Sequence, residues 1–390
     1  MTSGTSGERR AWGWVASLRE GGTTPWAAWT GEAEARGRVL PGAQQLELLR
    51  RVNLAGRPTP ELVRRVLSAS APGRGRPDLE LVGAVDPGPF GPRPVDPADL
   101  PDDELVRVAT SVLADDLVAT ALPDLPTARR PWRRRFRLVG DPWLADAARA
   151  ELRRRGRAPG GRGALALVLA TDLATMLTHA WAHRVLGEGA PPWRDWLGDA
   201  VARDRVPPRV DVLATLRTWE ERGGRERVRL VLDPAALPRL TGTRTPLAPA
   251  PVLPADGVEL ARRTAPVLGL LVRPERRARV LREVLVPRLV ALGGPPLVVP
   301  PEHRGWADEQ AGRVHAAVLA AGYPVVGDPG QLLPREAAGA LEPSEHGVLD
   351  LAVRLLLAGP AETPLGTANE TATTTATTTE TASDGGNEDR

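Results

Sequence analysis

From residue 133 onward, short apolar runs alternate with longer segments that have the apolar spacing of helices. The strand candidates lie at 136–139, 164–170, 226–232, 295–300 and 323–328; the run at 164–170 is fully apolar, and the last two candidates are the weaker ones. Fully apolar runs are typical of buried parallel strands, and helices between them predict a parallel sheet with right-handed crossovers. We therefore predict an α/β domain over residues 129–359, built as three layers around a mainly parallel sheet.

The first 128 residues predict helices instead. Thr59-Pro60-Glu61 combines a capping hydroxyl, a proline at the first helical position and an acid in the first turn, and Pro101-Asp102 opens a second helix. Residues 71–100 hold seven prolines, which predicts a long loop between these helices. We predict a disordered start over residues 1–8 and a mainly helical region with a Pro/Gly-rich loop over 9–128.

The amino-acid usage of the chain is unusual. It contains no lysine, isoleucine or cysteine, and all 51 basic residues are arginines. This is the imprint of a GC-rich genome, and because arginine stays charged, the pI near 10.4 is mostly an arginine effect. The high pI is therefore poor evidence for nucleic-acid binding. The absence of cysteine excludes disulfides, thiolate metal sites and cysteine nucleophiles.

The last 31 residues, 360–390, have a composition of their own. They carry six acidic residues, one arginine, ten threonines and no aromatic residue. Their net charge is −5, so the rest of the chain carries +8 of the total of +3. Such a segment cannot bury enough apolar surface to offset the entropy lost on ordering, which predicts a disordered, Thr-rich acidic tail.

Two features of the chain bear on its location. The N-terminal segment lacks the apolar core of a signal peptide. No apolar run approaches the length of about eighteen residues that a membrane span needs. We expect a cytoplasmic protein without a membrane span.

The turn Gly140-Asp141-Pro142-Trp143 lies between a strand and a helix, where phosphate loops lie in nucleotide-binding proteins. A phosphate loop directs several backbone N–H groups and a helix N-terminus at the anion, with the help of a lysine. Here Pro142 lacks an N–H, and Asp141 places a negative charge where the phosphate would lie. The simplest interpretation is that Asp141 caps the helix and Pro142 occupies its first position.

The segment around this turn is strongly basic. Residues 129–162 contain twelve arginines and three acids. A basic rim beside a helix N-terminus would attract an anionic ligand. The candidate anion-binding residues are Arg133, Arg134, Arg135, Gly140 and Arg162. The alternative is a solvated arginine surface that the codon bias has enlarged.

His179 and His183 are four residues apart on a predicted helix, so they share a face. Zinc sites use this spacing, but they add a third ligand, and metalloproteases add an intervening glutamate. Neither feature can be identified here, so we predict no metal site. The chain also has no Gly-x-Ser-x-Gly motif, which leaves a serine hydrolase without a nucleophile.

The order of parts over residues 133–335 resembles the sulfotransferase-like P-loop proteins of actinobacteria. The similar segments are ELRRRGRAPGG, LVLATDLATML, PPWRDWL, TWEERGGRERVRLVLDP and LARRTAPVLGLLV. In that family a Pro-Lys-x-Gly-Thr-Thr loop holds the donor 3′-phosphoadenosine 5′-phosphosulfate. At the matching positions this chain has Asp141-Pro142-Trp143-Leu144-Ala145-Asp146, so the lysine, the glycine and both threonines are missing. The resemblance implies a protein that keeps the strand–turn–helix arrangement of a phosphate site but has a degenerate loop, without the residues that hold the phosphosulfate.

Two functional hypotheses follow from different classes. The first is a catalytically silent sulfotransferase-like protein without a cofactor, which binds an anionic glycan, a nucleotide or another protein. The second is an active transferase that uses 3′-phosphoadenosine 5′-phosphosulfate and arginines in place of the loop lysine. The second requires Arg133–Arg135 and Arg162 to converge on the N-terminus of the helix that follows Pro142. Nucleic-acid binding rests on arginine content alone and is the weakest hypothesis.

Overall fold

In a computed structural model, the structure describes residues 6–34, 39–70, 77–84, 93–124, 127–130 and 133–360. The predicted disorder at residues 1–5 and 361–390 lies outside these ranges. Residues 6–8, in contrast, belong to the first helix, so the prediction of disorder is wrong for them. Glu8 lies in the first turn of that helix, where a negative charge interacts favourably with the helix dipole.

Fourteen α-helices lie in the described part of the chain. Their bounds are α1 Ser6–Arg19, α2 Ala43–Ala55, α3 Pro60–Ser68, α4 Asp102–Ala119, α5 Pro142–Arg154, α6 Leu173–Gly187, α7 Trp193–Ala202, α8 Val212–Gly223, α9 Leu237–Thr241, α10 Ala255–Leu271, α11 Pro274–Val280, α12 Val286–Leu292, α13 Pro301–Ala321 and α14 Glu345–Leu357. A π-helical turn, Leu281–Leu285, joins α11 to α12. Short 3₁₀ turns lie at Trp26–Ala28, Pro97–Asp99, Arg225–Arg227, Pro234–Ala236 and Pro329–Leu332.

Several helices begin where the sequence places a capping residue. The Thr59 hydroxyl accepts a hydrogen bond from the Leu62 N–H at 3.2 Å, and Pro60 is the first residue of α3. The Asp172 carboxylate accepts from the Thr175 N–H at 2.9 Å at the start of α6. Each cap satisfies a backbone donor that the helix itself leaves unpaired.

One four-stranded parallel sheet lies in the middle of the α/β part. Its strands are β1 Phe136–Gly140, β2 Leu165–Leu169, β3 Val228–Val231 and β4 Val325–Val326, in the order β1-β2-β3-β4. The predicted parallel α/β sheet is confirmed. The predicted strand at 295–300 is wrong, because this segment forms only isolated bridges from Pro296 and Leu297. Its prolines have no N–H to donate to a ladder.

Helices cover both faces of the sheet, which gives three layers. On one face α5 packs against Leu138 and Leu167, and on the other α8 packs with Val168 and Leu230.

The N-terminal helices share a core with the α/β part. Helix α4 packs against α10 and α14, and Leu105 of α4 is fully buried with Leu351 of α14 in the same apolar cluster. Fully burying a side chain of this size contributes about 1.5–3 kcal/mol. None of the helices in the described part of the chain combines the length and the apolar character that a bilayer crossing requires.

Candidate functional site

The turn after β1 is a helix cap that uses its own backbone donors. One carboxylate oxygen of Asp141 accepts from the Trp143 and Leu144 N–H groups, both at 2.9 Å. Pro142 occupies the first position of α5, as the sequence predicts. The indole N–H of Trp143 donates to the Pro251 carbonyl at 2.9 Å. The N–H groups that a phosphate would need are therefore already satisfied by a carboxylate.

Gly140 has a structural reason to be glycine. Its φ is +93°, a backbone conformation that other residues rarely adopt. A Cβ at this position would lie 2.2 Å from the carbonyl oxygen of Leu169 on β2. The neighbouring Asp141 N–H donates to that same carbonyl at 2.8 Å. Gly140 thus permits close contact between two strand ends.

Both histidines of α6 are paired with carboxylates, one on the residue that caps α5 and one within α5. The second oxygen of Asp141 lies 2.8 Å from Nδ1 of His179, and the Asp141 side chain is fully buried. Nε2 of His183 lies 3.0 Å from a carboxylate oxygen of Asp146. Arg209 lies 2.6 Å from Nδ1 of His183, and Arg282 lies 3.1 Å from its Nε2. These contacts hold α6 against α5.

The geometry around the two histidines does not assemble a metal site. Among the residues that the structure describes, no set of three or more His, Asp or Glu side chains is placed to hold a metal ion. His183 uses both ring nitrogens in contacts with protein groups. The two His–Asp pairs, His179–Asp141 and His183–Asp146, are polar contacts between α6 and the start of α5.

The pKa of Asp146 depends on its burial and on the side chains around it. Burial opposes the charged form of Asp146, but the hydrogen bond from His183 and the charges of Arg149 and Arg282 outweigh burial. The pKa of Asp146 therefore lies below its ordinary value of 3.8. A carboxyl group whose pKa is lowered on folding stabilises the protein above its unfolded pKa, and this contribution is lost as the pH falls through the folded pKa.

We expect Asp146→Asn to destabilise the protein at neutral pH and to matter progressively less in acid. The difference from wild type should be constant above about pH 5 and should shrink below about pH 4, where the unfolded carboxyl group protonates. Urea unfolding at several pH values measures it. Asp199→Asn removes an exposed carboxylate paired with Arg203 and serves as the control, with a small effect at every pH. A pH-independent loss for Asp146→Asn would contradict the assignment.

The structure separates the candidate arginines from the turn after β1. Arg133, Arg134 and Arg135 precede β1, and Arg162 precedes β2, so all four lie at the amino edge of the parallel sheet. Gly140 lies at the opposite, carboxyl edge. A strand rises about 3.3 Å per residue, which puts about 16 Å between Arg135 and Gly140. The arginines do not converge on the N-terminus of α5.

Four arginines meet in a pocket at the amino edge. The pocket has a volume of about 440 Å³ and is lined by Arg133, Arg134, Arg157, Pro238, Arg239, Gly242 and Thr243, a set that we call the arginine pocket. None of these described lining residues is acidic. Arg157 and Arg239 are site residues that the sequence did not single out. Arg157 lies within the basic segment, whereas nothing in the sequence links Arg239 to it.

The wall of the arginine pocket is held by arginine-to-carbonyl hydrogen bonds. Arg134 donates to the Arg239 carbonyl, and Arg157 donates to the Gly242 carbonyl. Arg155 donates to the carbonyls of Thr245 at 2.9 Å and Pro246 at 2.6 Å. The carbonyl bonds of Arg134 and Arg157 leave their charges uncompensated, because neither side chain makes an ion pair with a described carboxylate.

Comparison with known proteins adds no relative to this picture. No family model, no curated protein and no solved structure matches the chain. The resemblance to sulfotransferase-like proteins therefore stays a prediction.

Proposed function

We propose that this protein binds an anionic ligand without catalysing group transfer. The observation that carries the proposal is the arginine pocket, in which four guanidinium groups face about 440 Å³ of space with no acidic side chain in the described lining. Arg134 and Arg157 make no ion pair with a described carboxylate, and like charges held close together without counter-charges repel one another. A bound anion would offset that repulsion.

The pocket chemistry suits phosphate and sulfate groups. A guanidinium group presents a planar set of donors that matches both anions bidentately, and it stays charged throughout the physiological pH range. The volume lies within the range of about 300–1,000 Å³ that is typical of ligand pockets. A nucleotide, an anionic glycan or a partner protein with a phosphorylated or sulfated side chain would all present such a group.

The residues at the carboxyl edge of the sheet favour a catalytically silent protein rather than an active sulfotransferase-type enzyme. Asp141 occupies the N–H groups at the start of α5, and the chain has no lysine with which to hold a phosphosulfate. The active alternative needs arginines near Gly140, whereas the candidate arginines lie at the other edge. We therefore propose no cofactor, and we place the protein in the cytoplasm.

Nucleic acid remains the weaker alternative. Single strands are bound through aromatic side chains that stack on bases, and no aromatic residue lies among the described residues that line the arginine pocket. Charge attraction alone would give binding without sequence preference.

Calorimetric titration with inorganic pyrophosphate tests the proposal. We expect saturable binding to wild type and a loss of at least about 100-fold in Arg134→Ala/Arg157→Ala, because each charge-assisted hydrogen bond contributes about 1.5–3 kcal/mol and 1.4 kcal/mol is tenfold. Arg239→Ala should lose about tenfold by the same reasoning. The Arg239 side chain is exposed and makes no hydrogen bond with a described residue, so this variant is expected to fold normally.

Arg304→Ala is the matched control, because it removes one exposed arginine charge from α13, far from the pocket in the chain. Its affinity for pyrophosphate should equal that of wild type. A wild-type dissociation constant weaker than about 1 mM, or equal losses in Arg239→Ala and Arg304→Ala, would overturn the proposal.

A further inference from the structure

The two edges of the parallel sheet differ in their charged residues, although Arg225 and Arg227 at the amino edge pair with Glu220 and Glu226. Arginines stand at the entries to three strands, namely Arg133–Arg135 before β1, Arg162 before β2 and Arg225 and Arg227 before β3. Aspartates follow the ends of all four strands, at Asp141, Asp172, Asp233 and Asp328, and each caps the helix or turn after it. Parallel strands place all entries at one edge, so the arginines are gathered there by topology.

The arginines at the entries to β1 and β2 extend the arginine pocket along this edge. Arg135 donates to the Arg162 carbonyl at 3.1 Å. A Cβ at Gly161 would lie 3.0 Å from Cδ of Arg135, and a Cβ at Gly160 would lie 3.4 Å from Nε of Arg130. The side chains of Arg130 and Arg135 therefore lie against the glycine backbone of the loop before β2. We call the set Arg130, Arg134, Arg135, Arg157, Arg162 and Arg239 the arginine edge.

The arginine edge lacks the ion pairs that neighbouring arginines form. None of its six side chains makes an ion pair with a carboxylate in the described part of the chain. On the adjacent α5, in contrast, Arg154 and Arg155 both pair with Glu151, and Arg149 pairs with Asp146. Codon bias accounts for arginine in place of lysine, but it does not account for a cluster without acids.

We propose that the arginine edge binds a linear polyanion, which enters the arginine pocket with one anionic group and continues past Arg135 and Arg162. This inference rests on the proposed function and names its ligand class. The ligand carries repeated sulfate or phosphate groups and no bases, as sulfated glycans and inorganic polyphosphate do. Among the described aromatic rings near the edge, Trp219 lies beside the guanidinium groups of Arg137 and Arg222, and the buried Tyr323 lies beside that of Arg225. These contacts favour a ligand without bases, because guanidinium groups already occupy positions against the rings.

Binding to heparin oligosaccharides of four and twelve sugars tests the inference, with pyrophosphate as the short ligand. We expect the longer oligosaccharide to bind at least about tenfold more tightly than the shorter one, since it releases more counterions. Arg135→Ala/Arg162→Ala should weaken the long chain about tenfold and lower the slope of log affinity against log salt by about two. Its affinity for pyrophosphate should not change, because neither residue lines the arginine pocket.

Arg205→Ala/Arg304→Ala removes two exposed arginines elsewhere and should leave both affinities unchanged. Inorganic polyphosphate of matched charge distinguishes phosphate from sulfate as the preferred group, and tighter binding of either polymer than of pyrophosphate supports the inference. If pyrophosphate binds but chain length and Arg135→Ala/Arg162→Ala have no effect, the inference fails and the proposed function stands. If no anion binds, both fail. An oligonucleotide that binds as tightly as heparin and shows the same variant loss would overturn the assignment to a ligand without bases.

Discussion

Replacing Gly140 with alanine is expected to destabilise the protein by about 3 kcal/mol or more. A non-glycine residue in a rare backbone conformation costs about 1–3 kcal/mol, and the φ of Gly140 is +93°. The added Cβ would also lie 2.2 Å from the Leu169 carbonyl oxygen and 2.9 Å from the Leu169 backbone nitrogen. Because both are backbone atoms of a central strand, they cannot move aside without disturbing the pairing of β1 and β2. Urea unfolding followed by circular dichroism measures the loss.

Gly198→Ala is a control with the opposite expected sign. Gly198 lies within α7, and a Cβ there would meet no atom within 4 Å. Alanine is favoured over glycine inside a helix by up to about 1 kcal/mol, so this variant should be slightly more stable than wild type. Equal effects of the two substitutions would mean that the contact with Leu169 does not constrain Gly140.

The positions of the strands could be predicted because buried strands are rich in apolar residues. The run at 164–170 contains β2, since a parallel strand covered on both faces is apolar throughout, and the run at 226–232 contains β3, in which Arg229 alternates with buried apolar residues. The run at 295–300 is equally apolar, yet its prolines prevent ladder pairing.

The site was harder to predict because sequence distance is a poor guide to distance in a strand. Arg135 and Gly140 are close in the chain, and only the extended form of β1 places them at opposite edges. The capping role of Asp141 was predictable, since a cap acts on the next few residues. Its contact with His179, 38 residues away, depends on how α5 and α6 pack. Arg239 joins the arginine pocket for the same kind of reason.

The donor of sulfotransferases, 3′-phosphoadenosine 5′-phosphosulfate, provides the strongest test of the degenerate loop. The Asp141 carboxylate already accepts from the Trp143 and Leu144 N–H groups, and Pro142 offers no N–H at all. A phosphosulfate at the start of α5 would have to displace this buried carboxylate and bind beside its charge. Losing two charge-assisted hydrogen bonds, each worth about 1.5–3 kcal/mol, weakens binding by at least about 100-fold relative to an intact loop.

We therefore expect 3′-phosphoadenosine 5′-phosphosulfate to bind with a dissociation constant weaker than about 1 μM, which corresponds to roughly −8 kcal/mol. Whatever binding remains should belong to the arginine pocket, because the nucleotide carries phosphate groups that guanidinium donors recognise. Calorimetric titration should thus show a further loss in Arg134→Ala/Arg157→Ala and none in Arg304→Ala. A dissociation constant at or below about 1 μM that persists in Arg134→Ala/Arg157→Ala would place the nucleotide away from the arginine pocket. In that case the start of α5 would be a working phosphosulfate site, and the protein would have to be considered an active transferase.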